Sequence, residues 1–262
     1  MNNINKIMAA IIAIPALAWL CINSAIAQEQ EPPRFVPVEV FGCNYLEGKS
    51  YEDLQRVIDK WNKWMDKNSK SSYTAWTLVP DFYNDGPYTM DVGWLGAWAD
   101  GADMGAAQQQ SIFGSGADIN AEFMEVVECP MHSSSASVNV KMPAQWPNET
   151  GVTIFSDCTV AEGTTLQDAF AMEQAMAAHM DSAGSKAGSW LWYPGWGVGD
   201  IDYDYKRVVG HSDYPSAGAD FEMFTNGQGF VKAGEIFAGN VTCDSPRVYS
   251  TRLVRNGGIS PR

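Results

Sequence analysis

The sequence predicts an α+β protein made of two tandem copies of one βαββαβ unit, and three observations support this. Motifs recur at a nearly constant offset along the chain, cysteines mark both ends of each copy, and hydrophobic periodicity changes in the same order twice. At an offset of 115, Cys43, Glu47-Gly48, Ser50 and Asp53 lie over Cys158, Glu162-Gly163, Thr165 and Asp168. Trp76, Leu78 and Pro80 lie over Trp190, Trp192 and Pro194 at 114, and Cys129 lies over Cys243 at the same offset. A duplication explains a constant offset; chance does not.

Each copy opens with a strand, residues 38–44 or 152–159. A helix follows, beginning at the capping residue Ser50 or Thr165. An acid three positions on, Asp53 or Asp168, covers open amides of the first turn. Leu54, Val57, Ile58, Trp61 and Met65 form one apolar helix face, and Phe170, Met172, Met176 and Met180 form the second copy's. Short strands at 76–79 and 190–193 are expected to stop at Pro80 and Pro194, because proline donates nothing to a ladder. A third strand is expected at 90–98 or 203–211. Residues 100–117 and 213–228, rich in Gly, Ala and Asp, should each hold a short helix and a loop. A second helix (118–127; 229–238) and a last strand (135–142; 247–254) complete the unit. The domains are then a first repeat at 38–142, a linker at 143–151 and a second repeat at 152–255. Residues 28–37 and the tail 256–262 are expected to be disordered.

A βαββαβ unit builds an antiparallel sheet with both helices on one face. Two bare sheet faces can bury each other, which predicts two repeats packed sheet to sheet as an intramolecular pseudo-dimer, monomeric in chain count. In element order and duplication, both copies resemble the dimeric α+β-barrel superfamily of ferredoxin-like units, which includes antibiotic-biosynthesis-type monooxygenases. No catalytic motif carries the resemblance, so the oxygenase activity it implies stays at the level of fold and brings no site residue with it.

The first 27 residues read as a signal peptide. Lys6 is a short basic region, residues 7–22 are apolar, and Ala25-Ile26-Ala27 is a small-x-small cleavage site. Leu20 before Cys21 argues against a lipoprotein. Losing Lys6 takes the net charge from −14 to −15, which repels nucleic acid and anionic membrane. Neither is expected as a partner, and the address is the periplasm or the extracellular medium. Four cysteines remain in an oxidising compartment, and the duplication pairs Cys43 with Cys129 and Cys158 with Cys243. Each bridge should stabilise its copy by roughly 2–4 kcal/mol. No C-x-x-C or paired His accompanies them, so no metal site is expected. Asp200, Asp202 and Asp204 lack the turn glycine of a calcium loop and read as a solvated acidic rim.

The third strands carry the sharpest contrast. Met90, Val92, Trp94, Gly96 and Trp98 lie over Tyr203, Tyr205, Arg207, Val209 and His211 at offset 113. Alternation puts each set on one strand face. Arg207 and His211 thus replace two tryptophans on a core-type face, where charge needs a partner. If that face lines the lumen, Arg207 and His211 are the candidate catalytic pair, and Tyr205, Trp94, Trp98, Trp190 and Trp192 the candidate ligand-binding residues. The bland alternative is that Arg207 pairs with an acid. His132, in a Ser-rich stretch, reads as exposed and on a loop. No nucleophile elbow, P-loop, dinucleotide or zinc-protease motif occurs.

The function expected from these readings is an exported acidic protein that binds a small aromatic or apolar molecule between its repeats. It would need no cofactor, and would act as a carrier or as a cofactor-independent oxygenase- or isomerase-like enzyme. The alternative is a non-catalytic interaction or structural protein with a fully packed barrel.

Overall fold

The computed structural model describes residues 33–84 and 89–259. The expected signal peptide, with Lys6 and Cys21, and residues 28–32 lie outside the described residues. The first half contains β1 (Phe35–Tyr45), α1 (Tyr51–Asn68), β2 (Thr74–Phe82), β3 (Val92–Ala97), α2 (Gly101–Phe113), α3 (Ala117–Met124) and β4 (Val127–Lys141). The second contains β5 (Thr150–Val160), α4 (Leu166–Ala183), β6 (Gly188–Pro194), β7 (Tyr205–His211), α5 (Tyr214–Thr225), α6 (Gly229–Phe237), β8 (Val241–Cys243) and β9 (Arg247–Arg255).

The strands run β7-β6-β4-β1-β3-β2-β9-β5, and β5 returns to β7 to close an eight-stranded antiparallel barrel. The short β8 adds to the other side of β5. Two ladders join the halves, β2 with β9 and β4 with β6. The sheets therefore meet by backbone hydrogen bonds along their edges as well as by the apolar faces turned inward. Val38, Trp76, Leu78, Phe155, Trp192, Val208 and Tyr249 form the core inside.

Helices cover the outside. Leu54, Val57 and Ile58 of α1 pack on Cys43 and Val92, and Ala169 of α4 packs with Cys158 and Tyr205. Each long helix also reaches the last strand of the other half. Asn62 of α1 donates to the Val254 carbonyl at 2.7 Å, and α4 covers Val138 of β4. The α4 start shows the expected capping box: Thr165 Oγ1 accepts from Asp168 N–H at 3.1 Å, and Asp168 accepts from Thr165 N–H at 3.0 Å. Both expected disulfides are present, Cys43–Cys129 and Cys158–Cys243.

Several expectations differ in detail. Residues 35–37 belong to β1, because they pair with residues 136–138 of β4. That ladder also starts β4 eight residues earlier than its composition suggested. Tertiary hydrogen bonding here outweighs the low strand propensity of the serine run. Pro80 does not end β2; the ladder with β9 shifts register between Pro80 and Phe82 and continues. Asp100 caps α2 through the amides of Ala102 and Asp103, which sets a 13-residue helix where a short one was expected. Beyond β9 the chain stays attached. Gly257 N–H donates to Thr74 Oγ1 at 3.1 Å, and Ile259 packs on the lumen core.

Candidate functional site

On β1 the valines at 36 and 38 border the lumen, so Glu39, Phe41 and Cys43 face the helices. Glu39 is a charge in that buried layer, 5% exposed. Three side chains converge on it. Tyr73 donates its hydroxyl at 2.5 Å, Gln108 its amide at 3.2 Å, and His132 Nε2 lies at 2.9 Å. Trp94 Nε1 donates in turn to the Tyr73 hydroxyl at 2.6 Å. A buried carboxyl group needs hydrogen-bond partners of this kind to offset its lost hydration. Burial, and then the neighbouring Glu39 charge, raise the Tyr73 pKa well above its ordinary value. Tyr73 therefore keeps its proton and remains a donor. Gly96, opposite Glu39 in the β1–β3 ladder, makes this approach possible. A Cβ there would sit 2.1 Å from the Tyr73 hydroxyl oxygen.

His132 is in strand β4 rather than on a loop. Its ring stacks on Phe41 with centroids 3.6 Å apart, and its side chain is 47% exposed. Nε2 is the nitrogen that faces Glu39, which leaves Nδ1 turned away from the carboxylate. These groups border a cavity of about 690 Å³ between the outer face of β1, β3 and β4 and the helices α1, α2 and α3. Trp61, Trp64, Trp94, Trp98 and Phe123 line it, with Gln108, Gln110, Ser111 and Asn120 as neutral polar groups.

The residues expected to form one pocket are divided among three places. Trp190 and Trp192 do enter the lumen. Trp94 and Trp98 face outward and border the first-half cavity. Tyr205 and Arg207 also face outward, under α4, where Glu173 takes both. Arg207 Nε meets the two Glu173 oxygens at 2.9 Å each, and its Nη2 meets Oε1 at 2.6 Å. Tyr205 donates to Glu173 Oε1 at 2.6 Å. Burial works against the Arg207 charge, but the carboxylate more than offsets it, and its pKa is raised. The bland alternative, pairing with an acid, describes Arg207.

His211 lies against α5, its Nδ1 3.7 Å from Asp220 Oδ2, and its ring is buried. It borders the lumen cavity at that end of β7, but its ring and the Arg207 guanidinium do not form a pair inside the barrel. The reason is parity: Val208 and Gly210 hold the lumen positions of β7. The lumen cavity measures about 130 Å³ and is much the smaller. Asp200 and Asp202 are exposed, and Asp204 accepts from Val160 N–H at 2.7 Å. Among the described residues the grouping with metal-ligand proximity is Cys158, Glu173 and Cys243, whose sulfurs are consumed by a disulfide.

No protein-family model matches the chain, and no characterised protein sequence matches it. Its backbone is similar to solved structures. One is a protein assigned as a chlorite dismutase, at 14% identity over 86% of this chain and 98% of that one, with a TM-score of 0.53. Another is a protein assigned as a monooxygenase from Fusobacterium nucleatum, at 8% identity over 86% and 94%, with a TM-score of 0.53. A third is an anthrone oxidase-like protein, at 11% identity over 88% and 96%, with a TM-score of 0.51. The fold is that of the dimeric α+β barrel. At such identities the likeness is one of backbone alone.

Within this α+β barrel the donor set of the large cavity can be tested against a prosthetic group. Haem matches such a space in size, and His132 is of the right type for an axial ligand. The cavity lining, however, offers carboxylates at Glu39 and Glu128 and neither Lys nor Arg to meet the two propionates. The residues do not fit haem. Sequence reasoning missed Glu39, Tyr73 and His132. One signal was present: Glu39 shares parity with Cys43, whose disulfide belongs to the helix-covered layer, so Glu39 is a charge on a buried face.

Proposed function

We propose that this chain binds a small planar aromatic molecule in the first-half cavity and that Glu39 and His132 serve it as an acid–base pair. The observation that carries this reading is a buried carboxylate holding a histidine at 2.9 Å on the wall of a 690 Å³ aromatic cavity. Nδ1 of His132 would take a proton from an acidic O–H or C–H of the bound ring. Glu39 would hold the tautomer and balance the imidazolium charge. The tryptophans stack on the ring and limit water. The resulting substrate anion suits either reprotonation at another atom or reaction with dioxygen, the isomerase- and oxygenase-like activities expected from the sequence. The sequence places the ligand between the repeats; this reading places the reacting molecule in the larger space outside the barrel.

The same reading takes the barrel as two ferredoxin-like repeats, residues 38–142 and 152–255, forming an intramolecular pseudo-dimer. The reciprocal ladders β2–β9 and β4–β6 support it, as do the strand orders β4-β1-β3-β2 and β9-β5-β7-β6. The repeats have diverged. Ile58 and Trp94 of the first correspond to Glu173 and Arg207 of the second, so an ion pair stands where the first repeat has apolar packing beside its cavity. Export is supported by the two disulfides and by the leader-like first 27 residues.

The test is turnover of anthrone and of 1-naphthol by the mature chain, followed by oxygen uptake and absorbance. His132→Gln should lower kcat/KM by about 10²–10⁴-fold while leaving the unfolding midpoint in place. Binding that survives in His132→Gln without any turnover in the native chain would make it a carrier. Absence of binding at millimolar concentrations would sink the reading.

A further inference from the structure

We infer that the barrel lumen holds a second, separate binding site for a neutral single-ring aromatic carrying a hydrogen-bond donor, the phenol class. The lumen cavity of about 130 Å³ lies where strands of both halves meet. Trp76 comes from the first half, Trp190 and Trp192 from the second. The segment that joins the halves adds Trp146 to the lining, its ring 5.4 Å from Trp76 and 5.6 Å from Trp190. Gly210 leaves room for this arrangement, since a Cβ there would press on the Trp190 ring at 3.1 Å.

Two buried polar atoms on this lining accept or donate no hydrogen bond: His211 Nδ1, on the side of Asp220 at 3.7 Å, and a side-chain oxygen beside the tryptophans. Asn139 Oδ1, on β4 opposite Trp190, is buried and accepts no hydrogen bond. A buried amide oxygen without a donor is costly, so the site is built to receive one. Size selects the class. A cavity of about 150 Å³ admits a benzene ring, and the space here is close to that. It is far below the roughly 300 Å³ at which drug-sized ligands begin. The groups facing the centre carry no net charge: Ser137, Thr153 and Thr251 are neutral, Arg34 turns to the Ala99 carbonyl at 2.9 Å, and the buried His211 ring lies against α5. Phenol meets all three demands, with an O–H for Asn139 and a ring for the tryptophans. Ordered water could satisfy Asn139 but would leave the indole faces wetted.

The experiment is a ¹⁹F NMR titration of the mature chain with 4-fluorophenol and, as an isostere without the donor, 4-fluorotoluene. The phenol should give a saturable bound signal with Overhauser contacts to Trp76 and Trp190 indole protons. Asn139→Leu should weaken the phenol at least tenfold and leave the toluene unchanged, and Asn139→Ala should do the same if leucine impairs folding. Both signals should persist in Glu39→Gln, which touches only the first-half cavity. Loss of the phenol signal in Glu39→Gln, insensitivity to both Asn139 variants, or no saturation by 10 mM would each overturn the inference. Loss of the signal in Glu39→Gln would place the phenol in the first-half cavity instead; the other two outcomes leave the proposed acid–base pair untouched, and its own test is turnover.

Discussion

Glu39 and His132 are 93 residues apart in the chain, yet their side chains meet at 2.9 Å on the outer faces of β1 and β4. The β1–β4 register makes the contact, pairing Glu39 with Ser134 and Phe41 with His132, so that acid and imidazole become diagonal neighbours. Phe41 then stacks on the imidazole and fixes its plane. In Glu39→Gln the anionic acceptor is lost. The ¹⁵N shifts of the His132 ring are expected to change, because the group that faces Nε2 is replaced by an amide. Unchanged ring shifts would show that Glu39 does not orient the ring.

Gly96→Ala should break the same network from the other side. The added Cβ would lie 2.1 Å from the Tyr73 hydroxyl oxygen, and 2.4 Å from two ring carbons. Tyr73 must move away from Glu39. A loss of roughly 1–3 kcal/mol from overpacking is expected in urea unfolding, together with loss of the raised Tyr73 titration. A variant as stable as the native chain, with Tyr73 still protonated at high pH, would show that the tyrosine has other room.

The Arg207–Glu173 pair should behave as a buried ion pair. Glu173→Ile leaves the guanidinium without its carboxylate and should cost about 3–5 kcal/mol. The double variant Glu173→Ile, Arg207→Trp introduces the first-half residues, and should recover much of that loss. Additive losses in the double-mutant cycle would mean the two side chains are not coupled.

His211 gives the chain a pH dependence of definite sign. Burial lowers its pKa below 6.5, against the opposing pull of Asp220 and Asp213. The unfolded chain therefore binds a proton at higher pH than the folded chain does. Stability should fall as pH drops through about 6.5 and level off below the folded value. Asp213, held low by Ser216, acts only below the carboxylate range and leaves this window to the histidine. Denaturant midpoints between pH 5 and 7 should slope in the native chain and flatten in His211→Phe. A slope that survives the substitution would assign it elsewhere.

The sequence by itself determined both disulfide pairings and most of the element order, and its repeated offset is the ground for the proposed duplication. Each is a local or covalent feature: motifs at a repeated offset, one cysteine near each end of a copy, capping residues such as Thr165 with Asp168. It also grouped side chains correctly along a strand, since Tyr205, Arg207 and His211 do share one parity. What period-two alternation could not decide was which face turns inward. Where helices sheathe the barrel both faces of a strand are covered, so both carry apolar residues, and Trp94 and Trp192 look alike although one lies outside and the other in the lumen. Glu39 and His132 were further from view. Their meeting depends on the register between β1 and β4, a relation between distant segments that hydrogen-bonded ladders and barrel closure impose.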